Sequence, residues 1–229
     1  MIRRVIQHDL RLGERGRKRD PQLLEESFRL CCRYAGQTPS QATLIAGVKQ
    51  VLSANIGWQR VLSYLRFLES SLLVRLIRPL ELRLKKIHGP AKICIVDHGL
   101  RQSWLEETIP LDPEVLERSS YVADLAGHIA ESVVGAYLTG VPHLDVAHFP
   151  GVSEESEVDF VLTVGTQRIP VEVKYRRKVE FRDTYGLRRF IEQAHNNAPF
   201  GVLVTLTDDV ASDDPRIVTL PLSSLLLLR

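Results

Sequence analysis

Aromatic residues make up only 7% of this 229-residue chain, so its core has to be mainly aliphatic. Long apolar runs are missing as well. Stretches such as Leu225 to Leu228 fall far short of the roughly 20 residues that span a bilayer. Behind Met1-Ile2-Arg3-Arg4 there is no apolar segment of the kind a secretory signal carries. Cysteine is scarce: three residues, with no CxxC and no Cys/His spacing of the zinc type. Cys31 and Cys32 are neighbours on an expected helix, where adjacent side chains diverge, and Cys94 lies in an expected strand. The expectation is buried thiols in a reducing cytoplasm. What is present, 44% hydrophobic and 25% charged residues, reads as a soluble globular chain of one large domain or two small ones. Membrane-spanning, secreted, collagenous and wholly disordered classes are excluded on these grounds.

The net charge of +2 conceals clusters. Residues 1–19 carry seven basic side chains against Asp9 and Glu14, and residues 168–189 carry eight basic against three acidic. Residues 105–117 hold Glu106, Glu107, Asp112, Glu114 and Glu117 and nothing basic. The pattern predicts local electropositive patches rather than a uniformly basic surface.

Hydrophobic spacing predicts helices over 21–35, with Asp20 as N-cap and Pro21 in the first turn, over 38–52, and from Trp58 to about Ser70. Two β-like runs follow, Leu72 to Leu76 and Lys92 to Val96, joined by a basic loop. Three helices and a two-stranded wing are the order of a winged helix-turn-helix. Residues 101–120 are charged and contain proline, and a domain boundary is expected there. Beyond it the pattern changes to a helix from about Tyr121 to Leu138, strands near 144–149, 157–164 and 167–175, a helix over 183–197, and a strand from Gly201. Gly165-Thr166 is a two-residue hairpin turn. The expected fold class is α/β, with a basic segment (1–20), a winged helix (21–100), a linker (101–120) and an α-β-β-β-α-β sandwich (121–229).

The residues that could do chemistry lie in that second part. In β-strands alternate side chains share a face, so Glu172 and Lys174 point one way and Val171 and Val173 the other. Asp159, opposite the apolar set Val158, Phe160 and Leu162, comes near Glu172 if the strands pair through the Gly165-Thr166 turn. Two carboxylates with a backbone carbonyl between them suit Mg²⁺, and a nearby lysine can position a metal-bound water. Glu131 is an acid on a largely apolar helix and needs a partner, whether a metal, Lys174 or an arginine. It shares a face with Gly127 and Gly135, which would permit close backbone approach. Pro170, two residues before Glu172, cannot donate to a central ladder, so a strand start or a bulge is expected there. A Glu-x-Lys strand also arises in hairpins where the two side chains simply pair.

The set Glu131, Asp159 and Glu172-Val173-Lys174, in α-β-β-β order, resembles the PD-(D/E)XK nuclease superfamily. With Arg33-Tyr34-Ala35-Gly36, the Tyr64 to Glu69 segment, Pro90 to Leu100 and Gly127-His128-Ile129-Ala130-Glu131, the chain from about residue 20 onward resembles the region that follows the ATPase module in prokaryotic AAA+ proteins. There a winged helix precedes a restriction-endonuclease-like domain of unknown function. The resemblance implies an ATPase partner and DNA-linked work. Two departures stand out: no GxxxxGK[ST] phosphate cradle occurs, so no ATP site is expected in this chain, and valine precedes Asp159 where the superfamily has proline.

The leading expectation is a Mg²⁺- or Mn²⁺-dependent DNA endonuclease domain joined to a winged helix. Asp159 and Glu172 would bind metal, with Glu131 assisting and Lys174 positioning water. DNA contacts are expected from Gln59, Arg60 and Arg66 on the third helix, and from Arg176, Arg177, Lys178 and Arg188 after the Glu-x-Lys strand. The alternative is a catalytically inactive DNA-binding or scaffolding module of an ATPase system, with an AAA+ ATPase or a second copy as partner. No membrane partner is expected.

Overall fold

The computed structural model describes residues 20–52, 56–81, 89–109, 113–117, 119–150 and 157–228. The basic residues 1–19 and most of the basic loop between the two β-like runs lie outside them. Helix α1 (Pro21–Arg33) starts as expected: the Asp20 carboxylate accepts from the backbone N–H groups of Gln22 and Leu23. Helices α2 (Gln41–Leu52) and α3 (Trp58–Ser70) pack against it. Their apolar stripes close a core of Leu23, Leu24, Phe28, Cys31, Val48, Val61 and Leu68. All three cysteines are free and buried. Burial pushes the thiols of Cys32 and Cys94 up to about 12 and that of Cys31 higher still.

Strands β1 (Val74–Ile77) and β2 (Lys92–Ile95) form an antiparallel hairpin. It does not project into solvent as a wing would, because every residue of β2 is buried. Ile93 and Ile95 face the helical core, whereas Cys94 and Ile77 face a second core beneath α6 (Ser120–Leu138). The hairpin is thus an inner layer shared by both halves of the chain. Two further helices follow, α4 (His98–Leu105), which begins before the expected linker and runs into it, and α5 (Pro113–Glu117) within it. Arg101 of α4 is buried and donates from Nε to the Cys32 carbonyl.

The second half is a five-stranded sheet in sequential order, β3 (Asp145–Phe149), β4 (Val158–Val164), β5 (Gln167–Lys174), β6 (Gly201–Thr205) and β7 (Ile217–Pro221). The pairs β3–β4 and β4–β5 are antiparallel, while β5–β6 and β6–β7 are parallel. Helix α6 covers one face. Helix α7 (Tyr185–Glu192) covers the other through Leu187 and Phe190. The long helix expected over 183–197 is broken into a 3₁₀ turn (Phe181–Thr184), α7, and a second 3₁₀ turn (Ala194–Asn196) that ends at Asn197 with φ +50°. A short helix, α8 (Leu222–Leu225), follows β7. The structure is therefore mixed α/β, and none of its described helices is long and apolar enough to cross a membrane.

Two local irregularities differ from expectation. Pro170 sits inside β5 opposite Val161, one residue before the ladder with β6 begins at Val171↔Val202, so its missing N–H is placed where β6 has not yet joined. The bulge lies instead in β4. Between Ala147↔Val161 and Phe149↔Val158, β3 advances two residues and β4 three. This offset puts Val158 and Val161 in one core and Phe160 in the other, and it re-aims Asp159.

Gly135 does permit close approach: a Cβ there would lie 2.5 Å from Cys94 Sγ and 2.8 Å from Phe160 Cε1. Gly127, expected to act likewise, has open space around it. Gly135→Val should therefore lower the urea unfolding free energy by about 1–3 kcal/mol through overpacking. Gly127→Ala should raise it by about 0.4–1 kcal/mol through the unfolded chain. Equal effects at the two sites in urea titrations would contradict this packing.

Candidate functional site

Glu131 projects from the middle of α6, Asp159 from the β4 bulge, and Glu172 and Lys174 from the end of β5. All four line one open polar cavity of about 560 Å³. Its opposite wall is the α1–α2 connection, including Gln37, Thr38 and Ser40. That connection is held against the second half of the chain. The Gly36 N–H donates to the Ile93 carbonyl at 2.7 Å, and Gly36 adopts φ +80° where a Cβ would lie 2.0 Å from the His128 carbonyl oxygen.

A fifth side chain organises the cavity floor. Lys92, at the start of β2, has a side chain only 3% exposed. Its Nζ donates to Asp159 Oδ1 at 2.7 Å and to Glu131 Oε2 at 2.8 Å. The partner of Glu131 is therefore Lys92, and not Lys174 or an arginine. Burial alone would favour the neutral amine, but the carboxylates of Asp159 and Glu131 outweigh it and raise the Lys92 pKa above the ordinary lysine value. Burial likewise opposes ionisation of Asp159. Lys92 and Lys174, with hydrogen bonds from Lys92 and from the Val173 N–H to Oδ2 at 2.9 Å, reverse that and hold its pKa low. Lys174 Nζ donates to Glu172 Oε1 at 2.6 Å. Burial, with the nearby charge of Asp159, still outweighs this contact and pushes Glu172 upward. Glu172 Oε2 is buried without a hydrogen-bond partner. Glu157, at the cavity rim, is also raised, chiefly by burial. The Glu131 carboxylate, 3.8 Å from Nδ1, raises the His128 pKa. His148, fully buried beside this cluster, is held down to about 4 by burial and stays neutral.

The donor set does not fit a divalent metal as it stands. Each oxygen of Asp159 already accepts a hydrogen bond, one of them from a buried cation, and the same cation holds Glu131. Two ammonium groups face four carboxylates, two of which, Glu172 and Glu157, are shifted toward their neutral form, so the excess negative charge that a hard cation needs is largely cancelled internally. Among the described residues no group of three or more His, Cys, Asp or Glu is arranged to hold a metal ion.

The residues expected to meet DNA fall into two classes. Gln59, Arg60 and Arg66 share an exposed face of α3, with Arg60 3.6 Å from the Asp20 carboxylate. Trp58 is half-buried and Tyr64 is core, its hydroxyl accepting from the Asp20 N–H. Arg177 and Lys178 are exposed. Arg176, by contrast, is ion-paired to the buried Asp183. The Arg188 side chain is 18% exposed, donating to Thr184 Oγ1 and lying 3.8 Å from Asp214. Sequence reasoning left Lys92 and His128 without roles. A signal existed for each: Lys92 heads a strand with apolar residues on both faces, which demands a buried counter-charge, and His128 stands three residues before Glu131 on one helix face.

A family model described as a domain of unknown function, DUF4143, matches residues 126–225. The crystal structure of protein VC1899 from Vibrio cholerae is similar over 91% of this chain at 15% identity and a TM-score of 0.32. This chain spans 55% of that one. No curated protein matches the chain.

Lys92→Met should cost about 3–5 kcal/mol, because it leaves the buried Asp159 and the half-buried Glu131 without their counter-charge. The pH dependence gives a second readout. In the wild type the folded pKa of Asp159 is depressed, so its contribution is present above the unfolded value of about 3.9 and is lost as pH falls through the folded value. Without Lys92 the shift reverses, the folded state takes up protons first, and the stability gap to wild type should narrow as pH falls from about 7 to about 5. Urea unfolding of both proteins across that range checks it, and a gap independent of pH would contradict the ion-pair assignment.

Proposed function

We propose that this chain is a non-hydrolytic nucleic-acid-binding module serving an AAA+ ATPase, a winged helix followed by a PD-(D/E)XK nuclease-like sheet whose carboxylates are held by lysine. The observation that carries this reading is the Lys92 ammonium, 2.7 Å from Asp159 and 2.8 Å from Glu131, where a hydrolytic site of this type would need free carboxylate. The order α-β-β-β and the convergence of Glu131, Asp159, Glu172 and Lys174 support the nuclease-like fold. The match of residues 126–225 to a domain of unknown function is compatible with it. Three helices ahead of a hairpin support the winged-helix reading, and the exposed face of α3 with Gln59, Arg60 and Arg66 supports a groove contact. The burial of the hairpin makes α3, rather than the wing, the element available to a duplex.

Metal-dependent hydrolysis is the second reading, and one observation favours it: Glu172 Oε2 is buried at the cavity wall without a partner. The two readings part on Mn²⁺ and cleavage. In the first, Mn²⁺ leaves the wild-type Tm unchanged and no single- or double-stranded DNA or RNA is cut. Lys92→Ser, which exposes the carboxylates, gains a Mn²⁺-dependent rise in Tm. Wild-type cleavage that requires Mn²⁺ and is lost in Asp159→Asn would establish hydrolysis instead. Binding is tested separately: Arg60→Glu with Arg66→Glu should weaken duplex affinity and reduce the slope of log K against log salt by about 2. An unchanged slope would remove α3 from the interface.

A further inference from the structure

The segment that leaves β5 carries a feature that the nuclease-like site does not use. Phe181 and Tyr185 are 64% and 43% exposed, although they sit on well-anchored backbone. The 3₁₀ turn bearing Phe181 is closed by a reciprocal cap, in which the Asp183 carboxylate accepts from the Glu180 N–H. Asp183 and Thr184 are buried. The Arg188 guanidinium lies 3.9 Å from the centroid of the Phe181 ring, and Arg188 is itself fixed by Thr184 and the buried Asp214. One side of the ring is thus backed by a fixed cation while most of its surface remains open.

The surrounding charge is mainly positive, with Asp209 near Arg177 and Asp214 beside Arg188. Residues 176–189 contain six basic and two acidic residues. Both acids are engaged within the segment, Asp183 by Arg176 and Glu180 by Arg182. Arg177, Lys178 and Arg189 are exposed. Exposed rings in a predominantly basic surround match the chemistry of unpaired nucleic acid, where bases stack on aromatic faces and phosphates track the positive groups. A duplex keeps its bases stacked on one another and gains from the cations but not from the rings.

We infer that Phe181 and Tyr185, flanked by Arg177, Lys178 and Arg189, form a stacking platform for single-stranded nucleic acid. This rests on the reading of the chain as a nucleic-acid-binding module and specifies the strand state it takes. Arg188 is a positioning residue beneath the platform rather than a phosphate contact.

The test is fluorescence anisotropy of the full chain with labelled oligodeoxythymidine of about 16 nucleotides and with a duplex of the same length. Phe181→Ala and Tyr185→Ala should each weaken single-strand binding by about 5- to 100-fold, leave duplex binding and Tm nearly unchanged, and be rescued by Phe181→Trp and Tyr185→Phe. Arg177→Glu with Lys178→Glu should weaken both and lower the salt slope. Wild-type binding to single strands that both alanine variants retain would overturn the platform alone and place the contact elsewhere on the chain. A wild type that binds neither single strands nor duplex would overturn the platform together with the nucleic-acid reading beneath it.

Discussion

The arrangement of the two halves depends on one buried ammonium group. Lys92 reaches from the hairpin to a helix and to a sheet strand, and it satisfies one carboxylate on each. Taking three charged groups out of water is costly, and the cost is recovered only while all three stay together. The positions of β2, α6 and β4 are therefore mutually constrained. A shift of the hairpin by one residue would bury Ile93 among carboxylates and turn Lys92 into an apolar core.

Around that constraint the hairpin acts as a double-sided layer. Ile93 and Ile95 complete the helical core, Cys94 and Ile77 complete the core under α6, and Gly135 removes the side chain that would keep α6 from Cys94. Ser132, one residue beyond Glu131, adds a polar pin: its hydroxyl oxygen accepts from the Ile95 N–H and is 3.0 Å from His98 Nε2. The β4 bulge completes the site by turning Asp159 toward Lys92 on one side and the Val173 N–H on the other. The same contacts that bring these acids together thus also neutralise them, which is the basis of the proposed non-hydrolytic function.

At the surface the basic side chains divide by whether a carboxylate of the fold holds them. Arg101, Arg176 and Arg188 spend their charge on internal partners. Arg177, Lys178 and Arg189, next to Arg176 and Arg188 in sequence, are exposed. A run of basic residues is therefore not a uniform contact strip. Some of its members build the turn that presents the others, together with the two exposed rings.

Local sequence was sufficient for much of this. Asp20-Pro21 marked the start of α1, and the span of α3 followed from its apolar spacing. Gly165, with φ +60°, marked the β4–β5 turn, and strand alternation placed Glu172 beside Lys174. These features depend on periods of two or 3.6 residues and on single-residue backbone preferences, which neighbours in the chain encode. The partner of Glu131 could not be read in this way, because Lys92 lies 39 residues from Glu131 and 67 from Asp159. Nor could the bulge, which exists only as an offset between two paired strands, or the inward turn of Arg188. Each is a choice among several chemically adequate partners, and only the packing of distant elements makes that choice.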